Sequence, residues 1–471
     1  MSLQRPERFP EKWLPVFGRK RDQQKNPEHV TGSKRWKHAL VSAALTAIAF
    51  VVLVPVPALA LDVQTLAAAK GEEVWYVEDH SLPMIAMSAT LPAGSDYDPA
   101  DKAGLAAFAA ALFDEGAGRM NAEAFKKAEN DRGIQLSFSA GRDGATVSLV
   151  TLSAHAPEAF RLLGLALAHP RFDDSAIARV RAQILASLKQ DNQDPASVAS
   201  RGFFREFFHG HPYGHAVDGD AASIAAIARA DLVNFARSHW TRGDLKIAVS
   251  GDVDAKNLKA LLASAFGALP DKVPPPVPMT RGMGAPGVHV IAMDVPQPNV
   301  VFGLPGLLRS DKDFIPAYVA NYILGGGGFS SRLMNEVREK RGLTYGISTG
   351  LVPMAKAGLW IGQVASKKAS VRETIKVTRQ TIRTFVDNGP TAKELADAKT
   401  YLTGSLPLAF ASNTGIVAQL NVFQTEHMPV DYVAKRNALI NAVTLDDVRR
   451  VSKRLFDPSR LTIEVAGSLP K

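Results

Sequence analysis

The chain has 471 residues, of which 46% are hydrophobic, and it contains no cysteine. This length allows about two to four domains with hydrophobic cores of their own, and the lack of cysteine excludes disulfides and thiolate metal sites. The formal net charge of +9 lies mostly at the N-terminus: residues 1–38 hold 10 basic and 4 acidic side chains, and residues 39–61 hold none. The remaining 45 basic and 42 acidic side chains leave +3, so we expect no nucleic-acid partner.

An apolar segment, residues 39–61, follows this basic leader. Ala58, Leu59 and Ala60 form an A-x-A cleavage site, which predicts a signal peptide removed after Ala60 and export to the periplasm. The alternative is an uncleaved anchor in the inner membrane that holds the protein facing the periplasm, because the apolar run is almost long enough to span a bilayer. Pro55 and Pro57 weaken that alternative.

Strands and helices alternate in the next part of the chain. Apolar runs predict strands at 73–78, 84–91 and 145–152, and helical periodicity predicts helices near 103–114, 121–132, 156–168 and 173–191. A further helix is predicted to begin at Asp231, followed by a buried strand from Leu245 to Gly251. This order predicts an α/β (α+β) sandwich in which one mixed sheet is packed with helices.

The helix and strand that follow Asp231 recur later in the chain. Asp447 and the strand ending at Gly467 repeat the pattern at a constant offset of 216 residues, which predicts a duplicated domain. The proline-rich segment 270–278 lies between the copies and has the composition of a semi-rigid linker. We therefore predict four parts: a leader with its apolar segment (1–61), an N-terminal domain (62–269), a linker (270–284) and a C-terminal domain (285–471).

A glycine run in the second copy precedes a predicted helix of about ten residues. The run comprises Gly325, Gly326, Gly327 and Gly328 and is followed by Phe329. Ser330 or Ser331 can cap the helix, Gly342 can end it, and residues 345–349 are predicted to form a strand. Arg338 in the last helical turn and Tyr345 at the start of that strand would then converge, as two donors suited to a developing oxyanion. By itself this pattern is more typical of a solvated helix end rich in cations.

The run from the glycines to Tyr345 closely resembles the second-domain signature of the pitrilysin/insulinase family of zinc peptidases, which includes the mitochondrial processing peptidases. In that family an Arg and a Tyr seven residues apart bind the scissile carbonyl, and Arg338 and Tyr345 have that spacing. The resemblance covers residues 63–468. It implies two duplicated α/β sandwich domains, each with a mixed, mainly antiparallel sheet, that face each other across a cavity. It also implies that the glycine run and Phe329 bind substrate.

The same resemblance locates the family's zinc motif, H-x-x-E-H, in the first copy. The corresponding positions here are Ala107 and Ala111 for the two histidines, Ala110 for the general base and Ser187 for the glutamate ligand. Because methyl groups cannot coordinate zinc, we expect no metal in this chain, and no other H-x-x-E-H or H-E-x-x-H occurs in it. A metal role for Asp114 and Glu115, or for the histidines at 209, 211 and 215, is disfavoured by the local sequence.

Some members of the family are heterodimers in which one subunit holds zinc and the other supplies the Arg/Tyr pair. The resemblance therefore implies that this chain is a non-zinc-binding subunit, inactive alone, which pairs with a homologous subunit that carries zinc and together with it cleaves peptides. The alternative is a catalytically inactive peptide-binding or scaffold homologue that has kept only the fold.

Overall fold

The computed structural model describes residues 61–67, 72–282 and 284–469. The predicted leader, the cleavage site after Ala60 and nearly all of the possible tether at 39–61 lie outside these residues. Within the described part of the chain, no helix has both the length and the apolar composition needed to cross a membrane.

Thirteen strands are found in the described residues. They are β1 (Gln64–Ala67), β2 (Glu73–Glu78), β3 (Met84–Leu91), β4 (Gly116–Ala117), β5 (Met120–Asn121), β6 (Gln135–Ala140), β7 (Ala145–Leu152), β8 (Lys246–Gly251), β9 (Gly287–Ala292), β10 (Asn299–Pro305), β11 (Ile347–Pro353), β12 (Gly358–Ala365) and β13 (Thr462–Gly467).

Fifteen α-helices accompany them in the same part of the chain. They are α1 (Leu105–Ala110), α2 (Ala122–Asn130), α3 (Ala156–Ala168), α4 (Asp174–Asp191), α5 (Pro195–Phe207), α6 (Ala221–Ala226), α7 (Arg229–His239), α8 (Ala255–Phe266), α9 (Phe314–Asn321), α10 (Val371–Asn388), α11 (Ala392–Gly404), α12 (Leu406–Ala409), α13 (Asn413–Thr425), α14 (Tyr432–Ala442) and α15 (Leu445–Leu455).

Two mixed sheets organise the fold. Sheet 1 has the strand order β1-β2-β8-β3-β7-β6 and sheet 2 the order β11-β12-β10-β13-β9, with β4 and β5 forming a separate small pair. Each large sheet contains one parallel pair, β2 with β8 and β9 with β13, and is otherwise antiparallel. The predicted α/β sandwich fold is therefore confirmed.

The internal repeat extends to the ends of the elements. The bounds of α7 and α15, and those of β8 and β13, differ by the predicted 216 residues, and β8 and β13 occupy equivalent places in their sheets. Both strands end in a glycine with positive φ, 135° at Gly251 and 148° at Gly467. The domain boundaries at residues 269 and 285 stay predictions.

Most predicted elements of the first half are observed, with two differences. The predicted helix at 103–114 is shorter, because Gly104 has a φ of 92° and the chain tightens after Ala110 into a turn in which the amide of Leu112 donates to the carbonyl of Ala109. The helix predicted to begin at Asp231 begins at Arg229. Asp231 lies one turn in, where its carboxylate accepts the backbone N–H of Ala228 at 2.8 Å.

Each half contributes one helix to the sheet of the other half. Helix α5 packs on β10 and β13 of sheet 2, where the absence of a side chain at Gly303 leaves room for the ring of Phe203. Helix α13 packs on β3 and β8 of sheet 1, where its contacts include a buried hydrogen bond: the hydroxyl of Ser250 donates to Asn413 at 2.8 Å. Helices α5 and α13 therefore connect the two halves of the chain.

Candidate functional site

The glycine run is closely packed at three of its four positions. A Cβ at Gly325 would lie 2.4 Å from Oγ1 of Thr349, one at Gly326 would lie 2.7 Å from Nδ2 of Asn321, and one at Gly327 would lie 2.8 Å from a backbone carbonyl. At Gly328 nothing lies within 4 Å, and the φ is 56°. The fold itself therefore requires residues without a Cβ at 325–327, and Gly328 provides the left-handed turn.

A buried amide anchors this run. Asn321, at the end of α9, accepts hydrogen bonds at its Oδ1 from Oγ1 of Thr349 and from Nε1 of Trp360, both at 2.8 Å. Its Nδ2 donates to the carbonyl of Thr349 at 3.3 Å. Sequence analysis missed Asn321. A polar residue at the end of an otherwise apolar helix, just before the glycines, was the available signal.

The helix that follows has the predicted cap and stop. It covers residues 332–339, Oγ of Ser331 accepts the backbone N–H of Met334 at 3.4 Å, and Gly342 has a φ of 62°. The amide of Leu343 donates to the carbonyl of Val337 at 3.0 Å, which closes the C-terminal end. The last turn is wide, since the amide of Lys340 reaches back five residues to Asn335.

The strand predicted to begin at Tyr345 begins instead at Ile347. The reason is a side-chain hydroxyl: Oγ1 of Thr344 donates to the carbonyl of Ala365 at 2.7 Å and accepts the amide of Gly346 at 3.0 Å. This turn leaves Tyr345 outside the sheet with 82% of its surface exposed. The phenol is therefore presented to solvent.

Arg338 and Tyr345 line the same open cavity, whose volume is 320 Å³. The guanidinium carbon of Arg338 lies 4.6 Å from the centre of the Phe329 ring, and the guanidinium forms an ion pair with Glu339. The Arg338 side chain is 32% exposed, so a ligand in the cavity has access to it. A guanidinium and a phenol on one cavity can donate hydrogen bonds to a carbonyl oxygen.

A second arginine of this helix has a structural role that the sequence did not reveal. Nε and Nη2 of Arg332 bind the two carboxylate oxygens of Glu394 at 2.7 and 2.8 Å. Glu394 also accepts the backbone N–H of Thr391 at 2.7 Å, as part of the cap of α11. Burial opposes ionisation, but the hydrogen bonds from Arg332 and Thr391 hold the pKa of Glu394 at about 2. This pair fixes the start of the helix to α11.

The residues predicted to correspond to the zinc motif lie on or next to two helices. Ala107 and Ala110 belong to α1 and Ala111 follows it, while Ser187 lies on α4, with its Oγ 3.4 Å from Oδ2 of Asp191. Ala110 is only 1% exposed. These residues do not fit a zinc ion, since none of the three alanines has a donor atom. Across residues 61–67, 72–282 and 284–469, no group of three or more His, Cys, Asp or Glu side chains is arranged to hold a metal ion.

Three of the residues weighed as possible metal ligands contact other groups of the chain. His211 contacts the carbonyl of Pro278 at 3.0 Å through Nε2 and accepts the amide of Tyr213 through Nδ1. Asp114 pairs with Lys126 at 2.6 Å, and Glu115 forms an ion pair with Arg179. These side chains stabilise turns and helix contacts.

A duplicated mixed α/β fold, with alanines at the positions predicted to correspond to the zinc ligands and an Arg/Tyr cavity in its second half, defines a class of peptidase-like protein. Residues 74–220 match the family described as Insulinase (Peptidase family M16), and residues 226–402 match the Peptidase M16 inactive domain. The chain belongs to the M16 peptidase family, which confirms the predicted resemblance.

Individual relatives refine this placement. The crystal structure of a peptidase M16 inactive domain from Pseudomonas fluorescens is 32% identical, with a TM-score of 0.81 and coverage of 87% of this chain and 100% of that chain. The non-peptidase homolog YmxG of Helicobacter pylori is 28% identical over 402 residues, which are 84% of this chain and 92% of that protein. An uncharacterized zinc protease of Streptomyces coelicolor is 29% identical over 299 residues, 61% of this chain and 64% of that protein. This chain is thus similar to homologues described as inactive as well as to ones described as zinc proteases.

Proposed function

We propose that this chain is the non-zinc-binding subunit of a heterodimeric zinc metalloendopeptidase. Its partner is a homologous subunit with an intact H-x-x-E-H motif, which holds the zinc and activates the attacking water. Arg338 and Tyr345 of this chain bind the carbonyl oxygen of the peptide and stabilise the oxyanion that forms on it. The glycine run and Phe329 lie beside the bound peptide.

One observation carries the proposal: the two predicted donors line a single accessible cavity in a chain whose metal positions hold alanine and serine. Tyr345 is 82% exposed and lines this cavity, so burial in the core does not account for its position. A phenol and a guanidinium that line one accessible cavity are hydrogen-bond donors suited to a carbonyl oxygen.

The test is co-expression with a homologous subunit that carries H-x-x-E-H, followed by peptide-cleavage assays of the purified complex. Arg338→Ala and Tyr345→Phe are each expected to lower kcat by about 10²–10³-fold without changing assembly. Arg341→Ala is the matched control, because Arg341 is a cation at the same helix end that pairs with Glu336. Metal analysis should find zinc in the partner alone.

Unchanged turnover in both the Arg338 and Tyr345 variants would contradict the catalytic role. Stoichiometric zinc together with peptide hydrolysis by this chain alone would contradict the division of labour between subunits.

A second candidate is an inactive scaffold or peptide-binding homologue. It is favoured by the ion pair of Arg338 with Glu339 and by its contact with Phe329, which give the guanidinium partners inside the chain. In that case the complex would show the same turnover with the Arg338 variant as with the native chain, while its assembly would depend on this chain.

We further propose export to the periplasm, on the basis of the A-x-A site at residues 58–60. Mass spectrometry of the N-terminus in a periplasmic fraction distinguishes cleavage after Ala60 from retention of the apolar segment as an anchor.

A further inference from the structure

A second cavity lies where the two halves of the chain meet, beside α5 and on the same face of sheet 2 as that helix, with Ser200 and Phe204 of α5 in its wall. Its volume is 280 Å³, and its walls include the apolar side chains of Phe204, Val301, Val352, Met354 and Ile361. This volume is just below the range of roughly 300–1,000 Å³ typical of pockets for drug-sized ligands. The cavity has room for one bulky side chain.

The polar border of this cavity is fixed by contacts within the first half and by one contact between the halves. Asp143 accepts the hydroxyl of Tyr213 and, at 3.1 Å, the amide of Ala355. The guanidinium carbon of Arg142 lies 3.7 Å from the centre of the Phe204 ring. The border is therefore held in place before any ligand binds, which lowers the entropic cost of binding.

The strand register connects this cavity with the Arg338–Tyr345 cavity. Ile361, Gln363 and Ala365 alternate along β12 and share one face of sheet 2, as their antiparallel partners on β10 confirm. Ile361 lines the apolar cavity, whereas Ala365 lines the Arg338–Tyr345 cavity. Gln363 lies between Ile361 and Ala365, borders the apolar cavity and is exposed, so the strand face between the two cavities is open.

The distance along β12 between the two cavities predicts how many peptide residues separate two bound groups. Four residues of β-strand cover about 13 Å, and an extended peptide has nearly the same rise per residue. A peptide whose carbonyl lies at Arg338 and Tyr345, and which runs along this face, brings a side chain about four residues away to the apolar cavity.

We propose that the apolar cavity at Phe204, Val352 and Ile361 is a specificity subsite, which binds a bulky apolar side chain about four residues from the cleaved bond. The inference rests on the proposed function, because it takes Arg338 and Tyr345 to mark the position of that bond. The inference defines the substrate class as extended peptides. These peptides carry a large apolar residue on one side of the cleaved bond, at a fixed distance from it.

The experiment uses the complete complex and a set of glycine–serine peptides that each carry one phenylalanine at a different position. Mass spectrometry locates the cut. The dominant cut is expected to move with the phenylalanine and to stay three to five residues from it, because the two cavities are about four strand residues apart. Replacement of the phenylalanine by serine is expected to lower kcat/KM by about 10–200-fold, the range for loss of an apolar side chain from a pocket.

A matched pair of variants tests the location. Val352→Trp fills the cavity, and Val288→Trp places the same side chain on β9, at the far edge of the same sheet, where Val288 is 38% exposed. The Val352 variant is expected to lose the preference for phenylalanine, and the Val288 variant is expected to keep it. Circular dichroism and thermal unfolding verify that both variants fold.

Peptide binding to this chain can also be measured directly, without the zinc-binding subunit. Fluorescein-labelled peptides with phenylalanine or serine are titrated against the full chain alone, with anisotropy as the readout. Tighter binding of the phenylalanine peptide to the native chain, lost in Val352→Trp, supports the subsite.

Two failures are distinguishable. If cleavage depends on Arg338 but the cut does not follow the phenylalanine, the subsite is wrong and the proposed function stands. If cleavage is insensitive to Arg338→Ala and Tyr345→Phe, the proposed function fails, and the inferred spacing fails with it.

Discussion

The guanidinium carbon of Arg338 lies 4.6 Å from the centre of the Phe329 ring. Phe329 directly follows the glycine run and Arg338 lies in the last turn of the next helix, so this contact connects the two parts of the signature. Phe329 is 61% exposed, which leaves the outer part of the ring available to a ligand. We infer that the ring positions the guanidinium for the cavity that it shares with Tyr345.

Replacement of Phe329 by leucine should weaken that positioning. A cation–π contact at an exposed site is worth about 0.5–1 kcal/mol, so kcat/KM of the complex is expected to fall about two- to fivefold. Leu439→Ala, a change at an exposed apolar residue on α14, is the control. An equal loss in both variants would show that Phe329 has no specific effect on Arg338.

The glycine run should be intolerant of alanine at the packed positions. Gly325→Ala and Gly326→Ala place a Cβ within 2.4 and 2.7 Å of Thr349 and Asn321, so each is expected to lower the free energy of unfolding by about 1–3 kcal/mol. Gly346→Ala is the control, because no atom lies within 4 Å of a Cβ there. Urea unfolding of the full chain measures the difference, and similar stabilities for all three variants would contradict the packing argument.

The buried amide of Asn321 should contribute strongly to stability. Asn321→Ala leaves Nε1 of Trp360 and Oγ1 of Thr349 without their acceptor, and each buried unsatisfied group costs about 1–3 kcal/mol. Asn388→Ala, at an exposed position at the end of α10, serves as the comparison. Chemical denaturation should show a clear loss of stability for the first variant and none for the second.

The Arg332–Glu394 pair predicts an acid-dependent loss of stability. The pKa of Glu394 is lowered to about 2 in the folded state, so its stabilising effect is complete above its ordinary pKa of 4.5 and is lost as the pH falls towards 2. With partial solvent screening this effect is about 2 kcal/mol. Glu394→Gln should therefore be less stable than the native chain at pH 6, and the gap should close near pH 2. A constant gap would exclude ionisation of Glu394 as the cause.

Asp96 predicts the opposite pH dependence of stability. It is 5% exposed, its Oδ1 lacks a hydrogen-bond partner, and burial, together with the nearby charge of Asp143, raises its pKa to about 7. Because the folded pKa exceeds the unfolded one, folding becomes less favourable as the pH rises from about 4 to about 7, by about 3 kcal/mol. Asp96→Asn should stabilise the chain at pH 8 and have little effect at pH 4. Unfolding midpoints at both pH values measure this, and equal effects would contradict it.

Much of the fold followed from local signals. The strands at 73–78, 84–91 and 145–152 and the helix at 156–168 are found at the predicted residues, because apolar periodicity reports directly which face of an element is buried. The shortened helix at α1 and the earlier start of α7 depended on the φ of Gly104 and on the carboxylate of Asp231, which periodicity does not encode.

The sequence by itself determined that a domain is duplicated and that a capped helix carries Arg338 seven residues before Tyr345, because residue type, repeat and spacing are local properties of the chain. It also determined that alanine and serine stand at the positions predicted to correspond to the zinc ligands. Only the tertiary structure decided why three of the glycines must be small and why Tyr345 stands outside the sheet. It alone showed that Arg332 is held by Glu394 and that β12 connects the Arg338–Tyr345 cavity with an apolar cavity. These features depend on side chains distant in sequence that meet only when the sheets and the exchanged helices have packed.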